Sequence, residues 1–224
     1  MKRLVLMVEG KGDAEAAKRL AVKSLEQFHP DWRSFFFIDD HLIKVGDVCS
    51  LLSPKEGIKL LRHIERLGKQ ADIGGVLVLL DGDADSFLKL SDDGRSAEKA
   101  EFCPATTAFY MSDLVKKGTR AGKTFSFAVV FANQEFESWF LAGHPDFEAD
   151  YIGQDLEKHP RNAKGEIKKY DPRYNEAIDQ HKYVNNLDLG LLLERMRSFR
   201  RFKSALEEIY QSIQSGQSIC SPSQ

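Results

Sequence analysis

Four apolar segments mark the first 131 residues of the chain. They are Leu4–Val8, Trp32–Asp39 with its run Phe35-Phe36-Phe37-Ile38, Ile73–Leu80 and Phe125–Phe131. Continuous apolar runs of this length predict strands that are buried on both faces, which is the pattern of a parallel sheet covered by helices.

The segments next to these strands carry helical patterns. Helices are expected over Ala14–Phe28, after Ser53, over Ala105–Lys117 and from Ala132 onward. In the helix after Ser53, apolar residues between Ile58 and Leu67 recur at the spacing of one buried face. Strands and helices therefore alternate, and the crossover rules favour an α/β fold with a mainly parallel sheet of four strands, flanked by helices.

The remaining segments are less regular. Residues 85–103 are polar and predict a long loop, and residues 143–186 predict short helices at most. Leu187–Tyr210 predicts a final helix, interrupted or not, and the polar residues 211–224 predict a flexible tail. We therefore expect an α/β domain at 1–142, a helical and irregular extension packed on it at 143–210, and the tail.

Composition narrows the class of protein. The 224 residues suit one large domain, and the net charge of −2 means that any nucleic-acid surface has to be local. No segment approaches the ~20 apolar residues that cross a bilayer, so no membrane is expected as a partner. The short apolar start runs directly into Glu9 and indicates a first strand rather than a signal peptide. Three widely spaced cysteines without a metal-binding pattern fit the cytoplasm.

Acidic residues follow two of the predicted strands at the point where each strand ends. Asp81, Asp83 and Asp85 follow the third strand at alternate positions, and Glu9 ends the first strand beside Gly10. Open α/β sheets bind ligands at the carboxyl ends of their strands. Crowded carboxylates repel one another unless a cation lies between them, and Mg²⁺ or Mn²⁺ prefers such oxygen ligands. The alternative interpretation of Asp81-Gly82-Asp83 is a solvated turn.

Three further acids are candidates for the same site. Asp13 is either a metal ligand or the N-cap of the helix that follows it. Glu135 and Glu137 follow the fourth strand, and residues two apart on a helix point away from each other. One of them is therefore expected to be the third carboxylate. Glu135 is favoured because it lies nearer to the strand end, and Glu137 and Asp85 are secondary candidates.

Basic residues gather in two places. Five of the nine residues in Arg195–Lys203 are basic, and Lys116, Lys117, Arg120 and Lys123 lie in a glycine-containing loop. Each group is either a solvated surface or a phosphate contact, and Lys11 beside Glu9 is a further candidate for phosphate contact.

The sequence contains no phosphate-loop lysine motif, no G-x-G-x-x-G, no serine elbow and no Cys/His pair. Acids that are distant in sequence and converge at one sheet edge suit one or two magnesium ions better than a carboxylate dyad acting alone.

The acids at these strand ends also resemble a known domain. Val8-Glu9-Gly10 with Asp13, followed by Asp81-x-Asp83, resembles the Toprim domain of topoisomerases, primases and OLD-type nucleases. The chain is more closely similar to a bacterial family of stand-alone Toprim-like proteins of unassigned function. This resemblance extends through Glu135–Ala142, Asp179-Gln180 and Ser198–Phe202, and so covers essentially the whole chain.

The resemblance implies a Toprim-like, Rossmann-like fold in which Glu9 acts in acid/base chemistry or metal binding. It also implies that Asp81 and Asp83 hold Mg²⁺. OLD-type nucleases often carry a glutamate where this chain has Asp13, so the number of metal ions, one or two, stays open. A basic residue late in those nucleases assists phosphate chemistry, and its match would be Arg200, Arg201 or Lys203.

We therefore expect a cytoplasmic, Mg²⁺- or Mn²⁺-dependent protein that hydrolyses phosphodiester bonds in DNA or RNA. A bacterial defence system, with an ATPase or similar protein as partner, is the expected setting. Two alternatives stay open at this point. One is a non-catalytic regulatory module that binds a metal or a partner at the same acids, and the other is a nucleotide phosphohydrolase.

Overall fold

A computed structural model describes residues 1–54, 58–91, 96–151, 154–157 and 162–223, with the side chains of Lys11, Glu148 and Ala149 left aside. Its strands are β1 (Lys2–Val8), β2 (Phe36–Ile38), β3 (Ile43–Lys44), β4 (Ile73–Asp81), β5 (Ser86–Leu90), β6 (Ala97–Glu101), β7 (Ser126–Ala132) and β8 (Cys220–Ser221). Its α-helices are α1 (Lys11–Phe28), α2 (Val48–Leu51), α3 (Lys59–Gly68), α4 (Pro104–Gly118), α5 (Ser138–Gly143), α6 (Pro145–Tyr151), α7 (Ala163–Tyr170), α8 (Glu176–Asn186), α9 (Leu189–Arg195) and α10 (Arg197–Ser215).

The central sheet confirms the expected α/β fold with a mainly parallel sheet flanked by helices. In the described part of the chain, six strands form it in the order β2-β1-β4-β7-β8, with β3 also paired to β1. All of these pairs are parallel. The four strands predicted from the apolar runs are β1, β2, β4 and β7, whereas β3 and β8 are two residues long and too short to carry a pattern.

The middle strand β4 shows why its run is apolar throughout. Every residue from Ile73 to Leu80 is buried, because helices cover both faces of the sheet. Leu77 and Leu79 join the core beneath α1, α5 and α10, whereas Val76 and Val78 join the core beneath α3 and α4. Successive side chains of a strand point to opposite faces, so one apolar run supplies both cores.

Two glycines of β4 allow α10 to pack closely on the sheet. A Cβ atom at Gly75 would lie 2.7 Å from Cγ2 of Ile209, and one at Gly74 would lie 3.0 Å from Cδ1 of Ile213. Because glycine has no Cβ, the helix can lie directly on the backbone of the strand. The final helix thus covers one face of the central strands, and the division of the chain at residue 142 stays a prediction.

The segment at 85–103 was expected to be a loop, and this prediction is wrong for its described residues. β5 and β6 form an antiparallel hairpin that pairs Ser86 with Glu101 and Leu90 with Ala97. The hairpin is attached to α4, since the Leu90 amide donates to the hydroxyl of Tyr110 at 2.9 Å. β6 has the sequence Ala-Glu-Lys-Ala-Glu and is largely exposed, so hydrophobic alternation could not identify it.

The flexible tail predicted from residue 211 is also corrected. α10 continues to Ser215 and ends at Gly216, whose φ of 73° is the left-handed conformation that terminates helices. The chain then adds β8 to β7, with Cys220 opposite Phe127 and Ser221 opposite Ala128. Backbone hydrogen bonds to a core strand hold these residues.

The final helical segment is interrupted, a point that the sequence had left open, and one other helix boundary differs from expectation. The final helical segment is divided at Met196, whose extended backbone separates α9 from α10 and whose side chain is fully buried. The helix expected from Ala132 begins only at Ser138, because β7 extends to Ala132 and residues 133–137 form a turn. Among the described residues, no helix combines the length and the apolar character needed to cross a bilayer.

The contact between β4 and α10 leads to a double-mutant prediction. We expect Gly75→Ala to lower the free energy of unfolding by about 1–3 kcal/mol, because its Cβ would overlap Ile209. Ile209→Ala should cost about 2–5 kcal/mol alone. The double variant should cost clearly less than the sum in urea unfolding, since removal of Cγ2 makes room for the new methyl group.

The matched control is Gly75→Ala combined with Ile64→Ala, which lies in the core on the other face of the sheet. This pair should add within about 0.5 kcal/mol. Additive costs for the Gly75 and Ile209 pair would contradict the proposed overlap.

Candidate functional site: an acidic cluster at the carboxyl edge of the sheet

The parallel sheet brings the predicted acids to one edge. β1, β4 and β7 run in the same direction, with Val8 opposite Leu79 and Asp81 opposite Ala132. Their carboxyl ends therefore lie side by side, and the turns that follow them meet there. We use the name acidic cluster for Glu9, Asp13, Asp81, Asp83 and Glu137.

Glu9 is joined to the end of β4. The amide of Asp81 donates to Oε2 of Glu9 at 3.3 Å. Burial raises the pKa of Glu9 to about 7. The hydrogen bond from Asp81 lowers this pKa, whereas the charges of Asp83, Asp13 and Asp47 raise it. A carboxyl with such a pKa can exchange a proton near neutral pH.

Asp81 connects the end of β4 to the turn after β7. Its Oδ1 accepts a hydrogen bond from the Phe136 amide at 2.8 Å. Burial raises the pKa of Asp81 well above its usual range, and the negative charges of Asp13, Glu137 and Glu9 add to this effect. The charge of Lys164 acts in the opposite direction.

Gly82 allows the two turns to approach each other. Its amide donates to the carbonyl of Gln134 at 2.9 Å, and a Cβ at this position would lie 2.6 Å from the carbonyl oxygen of Ala132. Any side chain here would separate the ends of β4 and β7. The glycine between Asp81 and Asp83 therefore allows two turns to pack against each other. The alternative interpretation of Asp81-Gly82-Asp83 as a solvated turn does not account for this contact.

Asp13 does not cap its helix in the expected way. α1 begins at Lys11, so Asp13 lies in its first turn, and its Oδ2 accepts from the Gly10 amide at 2.8 Å. Its Oδ1 accepts from Nε2 of Gln180 at 3.1 Å. One oxygen thus stabilises the helix start, and the other connects α1 to α8.

Glu137, the secondary candidate, is the residue after β7 that reaches the cluster. It is fully buried, and its Oε1 accepts from Nε2 of Gln180 at 3.0 Å and from the hydroxyl of Tyr174 at 3.1 Å. Its Oε2 is buried without a hydrogen-bond partner in the described part of the chain. Burial raises the pKa of Glu137 to about 7, although Lys164 and Gln180 favour its charged form.

Glu135, favoured from the sequence, has a different environment. It is partly exposed, and its Oε2 accepts from the backbone amide of Lys164 at 3.1 Å. The argument from helical angles did not apply, because both glutamates precede the first residue of α5.

Lys164 is a site residue that the sequence did not reveal. Its ammonium lies 2.9 Å from Glu176 and 4.0 Å from Oε1 of Glu137. Burial alone would lower the pKa of Lys164, but the charges of Glu137, Glu176 and Asp81 outweigh burial and hold the pKa above its usual range. It comes from α7, within the segment that carried no legible pattern.

The other acids after β4 lie at the rim. Asp83 is half-buried, and its charge is close enough to raise the pKa of Glu9. Asp85 is exposed, and its carbonyl accepts from the Phe102 amide at 3.2 Å, at the base of the hairpin.

The basic candidates on α10 are engaged with other groups. Arg200 donates to the carbonyls of Leu193 and Glu194, Arg201 pairs with Glu208, and Lys203 pairs with Glu207. Within the described residues, none of the three donates a hydrogen bond to the acidic cluster.

Lys116 and Lys117 lie in the last turn of α4 and not in a loop as expected, and Arg120 and Lys123 lie in the loop between α4 and β7, whereas the acidic cluster follows β1, β4 and β7. The loop therefore lies at the amino edge, about 20 Å from the acids by the rise of a seven-residue strand. The side chain of Lys11 lies outside the described part of the structure. Phosphate contact by these residues stays a prediction.

The acidic cluster suits a divalent cation because of the type of ligand atoms that it offers. The cluster offers carboxylate oxygens with mutually raised pKa values, and Oε2 of Glu137 is a buried acceptor without a donor. Among the described residues, no three acidic, histidine or cysteine side chains are arranged to hold a metal ion together. Mg²⁺ is commonly held by one or two carboxylates with water and substrate, so the donor set fits that mode of binding.

The raised pKa of Glu137 predicts a pH dependence of stability. Its carboxyl has a pKa of about 7 in the folded chain against 4.5 in an unfolded one. The folded state thus binds the proton more tightly, and this contribution to stability is lost as the pH rises from about 4.5 to 7. In metal-free urea unfolding, the fall in unfolding free energy across this range should be smaller by ~3 kcal/mol in Glu137→Gln.

The matched control is Glu176→Gln, which removes the exposed partner of the same lysine and should keep the pH dependence of the wild type. A Glu137→Gln profile parallel to that of the wild type would mean that Glu137 is charged throughout the range.

Comparison with known proteins identifies a family but no activity. No curated protein and no solved structure matches the chain. Residues 8–207, which include the whole acidic cluster, match a family described as a domain of unknown function, DUF4276. Because this match spans most of the 224 residues, the chain belongs to the DUF4276 family.

Proposed function

We propose that the protein is a cytoplasmic, Mg²⁺- or Mn²⁺-dependent hydrolase that cleaves phosphodiester bonds in nucleic acid, on a Toprim-like version of the α/β fold. One observation carries the proposal. Carboxylates from three separate strand ends are gathered at one edge, and burial and mutual repulsion raise the pKa values of Glu9, Asp81 and Glu137. Perturbed acids at the ligand-binding edge of such a sheet are typical of functional sites.

In this proposal Asp81 and Asp83 hold the cation, with Glu9 and Asp13 beside them. A bound divalent ion would polarise a phosphate oxygen and favour hydroxide from bound water. Glu9, with a pKa of about 7, is suited to accept or donate a proton near neutral pH. Glu137 adds negative charge from the protein interior and so strengthens the attraction for a cation.

Lys164 takes the role of the basic residue in phosphate chemistry. Lys164 is paired with Glu176, as the candidates on α10 are paired with other groups, but its ammonium also lies 4.0 Å from Glu137 and its charge acts on Asp81. A cation so placed can stabilise the charge that develops on the phosphate. A partner protein, such as an ATPase of a defence system, stays part of the proposal for the cellular setting.

A second function is favoured by a different observation. Gln180 donates to both Asp13 and Glu137, and Tyr174 also donates to Glu137, so the acids are held by the protein itself. Such a network is also what a non-catalytic module needs, if it uses the acids only to bind a cation or a partner. Nuclease and binding module differ in turnover, and the next experiment separates them.

We expect Asp81→Asn with Asp83→Asn to abolish binding of Mn²⁺ in titration calorimetry. It should also reduce metal-dependent cleavage at least about 10–100-fold. Loss of a residue that only hydrogen-bonds to a metal ligand already costs about this much, and loss of a ligand itself should cost more. Single-stranded and double-stranded oligonucleotides and free nucleotides should be assayed together, since cleavage of nucleotides alone would indicate a phosphohydrolase. Asp113→Asn, on the exposed surface of α4, is the control and should behave as the wild type.

Metal binding without cleavage in the wild type would favour the binding module. Full cleavage by the double variant would exclude Asp81 and Asp83 as ligands.

Lys164→Ala should lower the cleavage rate about 100-fold while metal binding persists, because the charge on the phosphate is no longer neutralised. Lys203→Ala is the matched control, since that lysine pairs with Glu207 on its own helix and should retain activity. An active Lys164→Ala together with an inactive Lys203→Ala would show that the basic residue in phosphate chemistry lies on α10.

A further inference from the structure

The C-terminal half of β7 borders a cleft of about 790 Å³. Val129, Val130 and Phe131 all line it. Val130 belongs to the core on one face of the sheet, and Val129 and Phe131 belong to the core on the other. A cleft that touches all three residues therefore follows the edge of the strand instead of lying over one face. We call this cleft the edge slot.

Beyond the Val129 amide, the edge of β7 that faces away from β4 has no partner strand among the described residues. The Phe127 amide donates to the carbonyl of Ile219 at 2.8 Å, so it points toward β8. Backbone N–H and C=O groups of alternate residues in a strand point to the same edge. The amide and carbonyl of Phe131, four residues after Phe127, therefore also point to the edge on which β8 lies. In the described part of the chain, β8 pairs only with Phe127 and Ala128, and it is followed by Pro222, which has no amide hydrogen to continue the ladder.

The two walls of the edge slot differ in chemistry. The wall on α4 is apolar and contains Pro104, Ala105, Ala108 and Phe109, whose ring is 38% exposed. The opposite wall is polar and carries Arg197 and Arg201 together with their ion-pair partners Glu157 and Glu208. Arg201 is occupied by Glu208 and the Ser221 hydroxyl.

Arg197 keeps donors for a ligand. Its Nε donates to Glu157 at 2.7 Å, and this bond fixes the direction of the guanidinium. Its two terminal amino groups make no hydrogen bond to the described residues, and its side chain is 77% exposed. Such a guanidinium can hold a carboxylate through two parallel hydrogen bonds.

We propose that the edge slot binds an extended segment of a partner protein, which pairs with β7 as an additional strand. On this edge, within the described chain, the carbonyl of Val129 and the amide and carbonyl of Phe131 are open, and they suit about two residues of an added strand, or ~7 Å. Side chains of the added strand would alternate between the walls, so the segment carries apolar residues toward α4 and acidic residues toward Arg197. Addition of a strand to an open sheet edge is a general mode of peptide recognition.

The geometry favours a peptide over a nucleotide for one reason. The floor of the slot is a strand edge whose hydrogen-bonding groups recur at the repeat of a polypeptide, and the slot continues the position that β8 already occupies. This inference is independent of cleavage at the acidic cluster.

The test uses the acetylated, fluorescein-labelled peptide Val-Glu-Val-Glu-Val and fluorescence anisotropy with the full chain. Two further peptides carry N-methyl groups on all valine amides or on both glutamate amides. The two sets of amides lie on opposite edges of a strand, and only one edge can face β7. One methylated peptide should therefore lose at least about 10-fold in affinity while the other binds as the parent does.

Three variants locate the binding. Ala105→Trp places a ring in the mouth of the slot and should weaken binding at least about 10-fold. Lys117→Trp, on the same helix but outside the slot, should leave it unchanged. Arg197→Gln should weaken the glutamate peptide but not a Val-Gln-Val-Gln-Val peptide.

Equal affinities of the two methylated peptides, no binding by the parent peptide, or wild-type affinity of Ala105→Trp would overturn the proposal. Displacement of the peptide by deoxyadenosine monophosphate at similar concentration would assign the slot to nucleotides instead.

Discussion

Mutual repulsion between buried carboxylates is the constraint on which the carboxyl edge of this protein depends. Parallel strands place their last residues at one edge. Burial raises the pKa values of Glu9, Asp81 and Glu137, and the charge of Asp13 raises all three further. Loss of water around such groups is costly unless each has a donor or a nearby cation. Backbone amides of Gly10, Asp81 and Phe136 supply part of what is needed.

The remaining donors come from the segment between the sheet and the final helix. α7 contributes Lys164, and α8 contributes Gln180, whose single amide nitrogen serves both Asp13 and Glu137. Gly12 permits this approach, because a Cβ there would lie 2.9 Å from the carbonyl oxygen of Glu176 at the start of α8. The short helices after residue 143 thus complete the edge of the sheet, although they contribute none of the strands.

The sequence was informative where one residue's environment follows from its immediate neighbours. The apolar runs located β1 and β4, and hence the positions of Glu9 and Asp81 at their ends. The choice between Glu135 and Glu137 depended on where α5 begins. That position is set by β7, which extends one residue beyond the predicted strand, and by the turn after it, which the hydrogen bond from Gly82 to Gln134 holds against the end of β4. No local pattern distinguishes Lys164 from other polar residues, and Gln180 was marked only by the family resemblance, without a role. The roles of both residues arise only when α7 and α8 pack against the sheet.

The same limit explains the missed strands. β8 is two residues long, and its order comes from pairing with β7 rather than from its own composition. β6 is charged and exposed, and it exists because β5 pairs with it and Tyr110 holds the hairpin. A strand that is very short or exposed depends on its pairing partner and has no hydrophobic periodicity of its own.

The close packing of α10 on Gly74 and Gly75 has a consequence for how the chain folds. Ile209 and Gly75 are separated by more than half of the 224 residues, and β4 itself pairs with strands on either side that are distant in sequence. Contacts of this kind raise the contact order and slow folding. In any state in which α10 is undocked, the face of β4 that carries Leu77 and Leu79 lacks this covering helix, and exposed apolar surface of this kind favours aggregation.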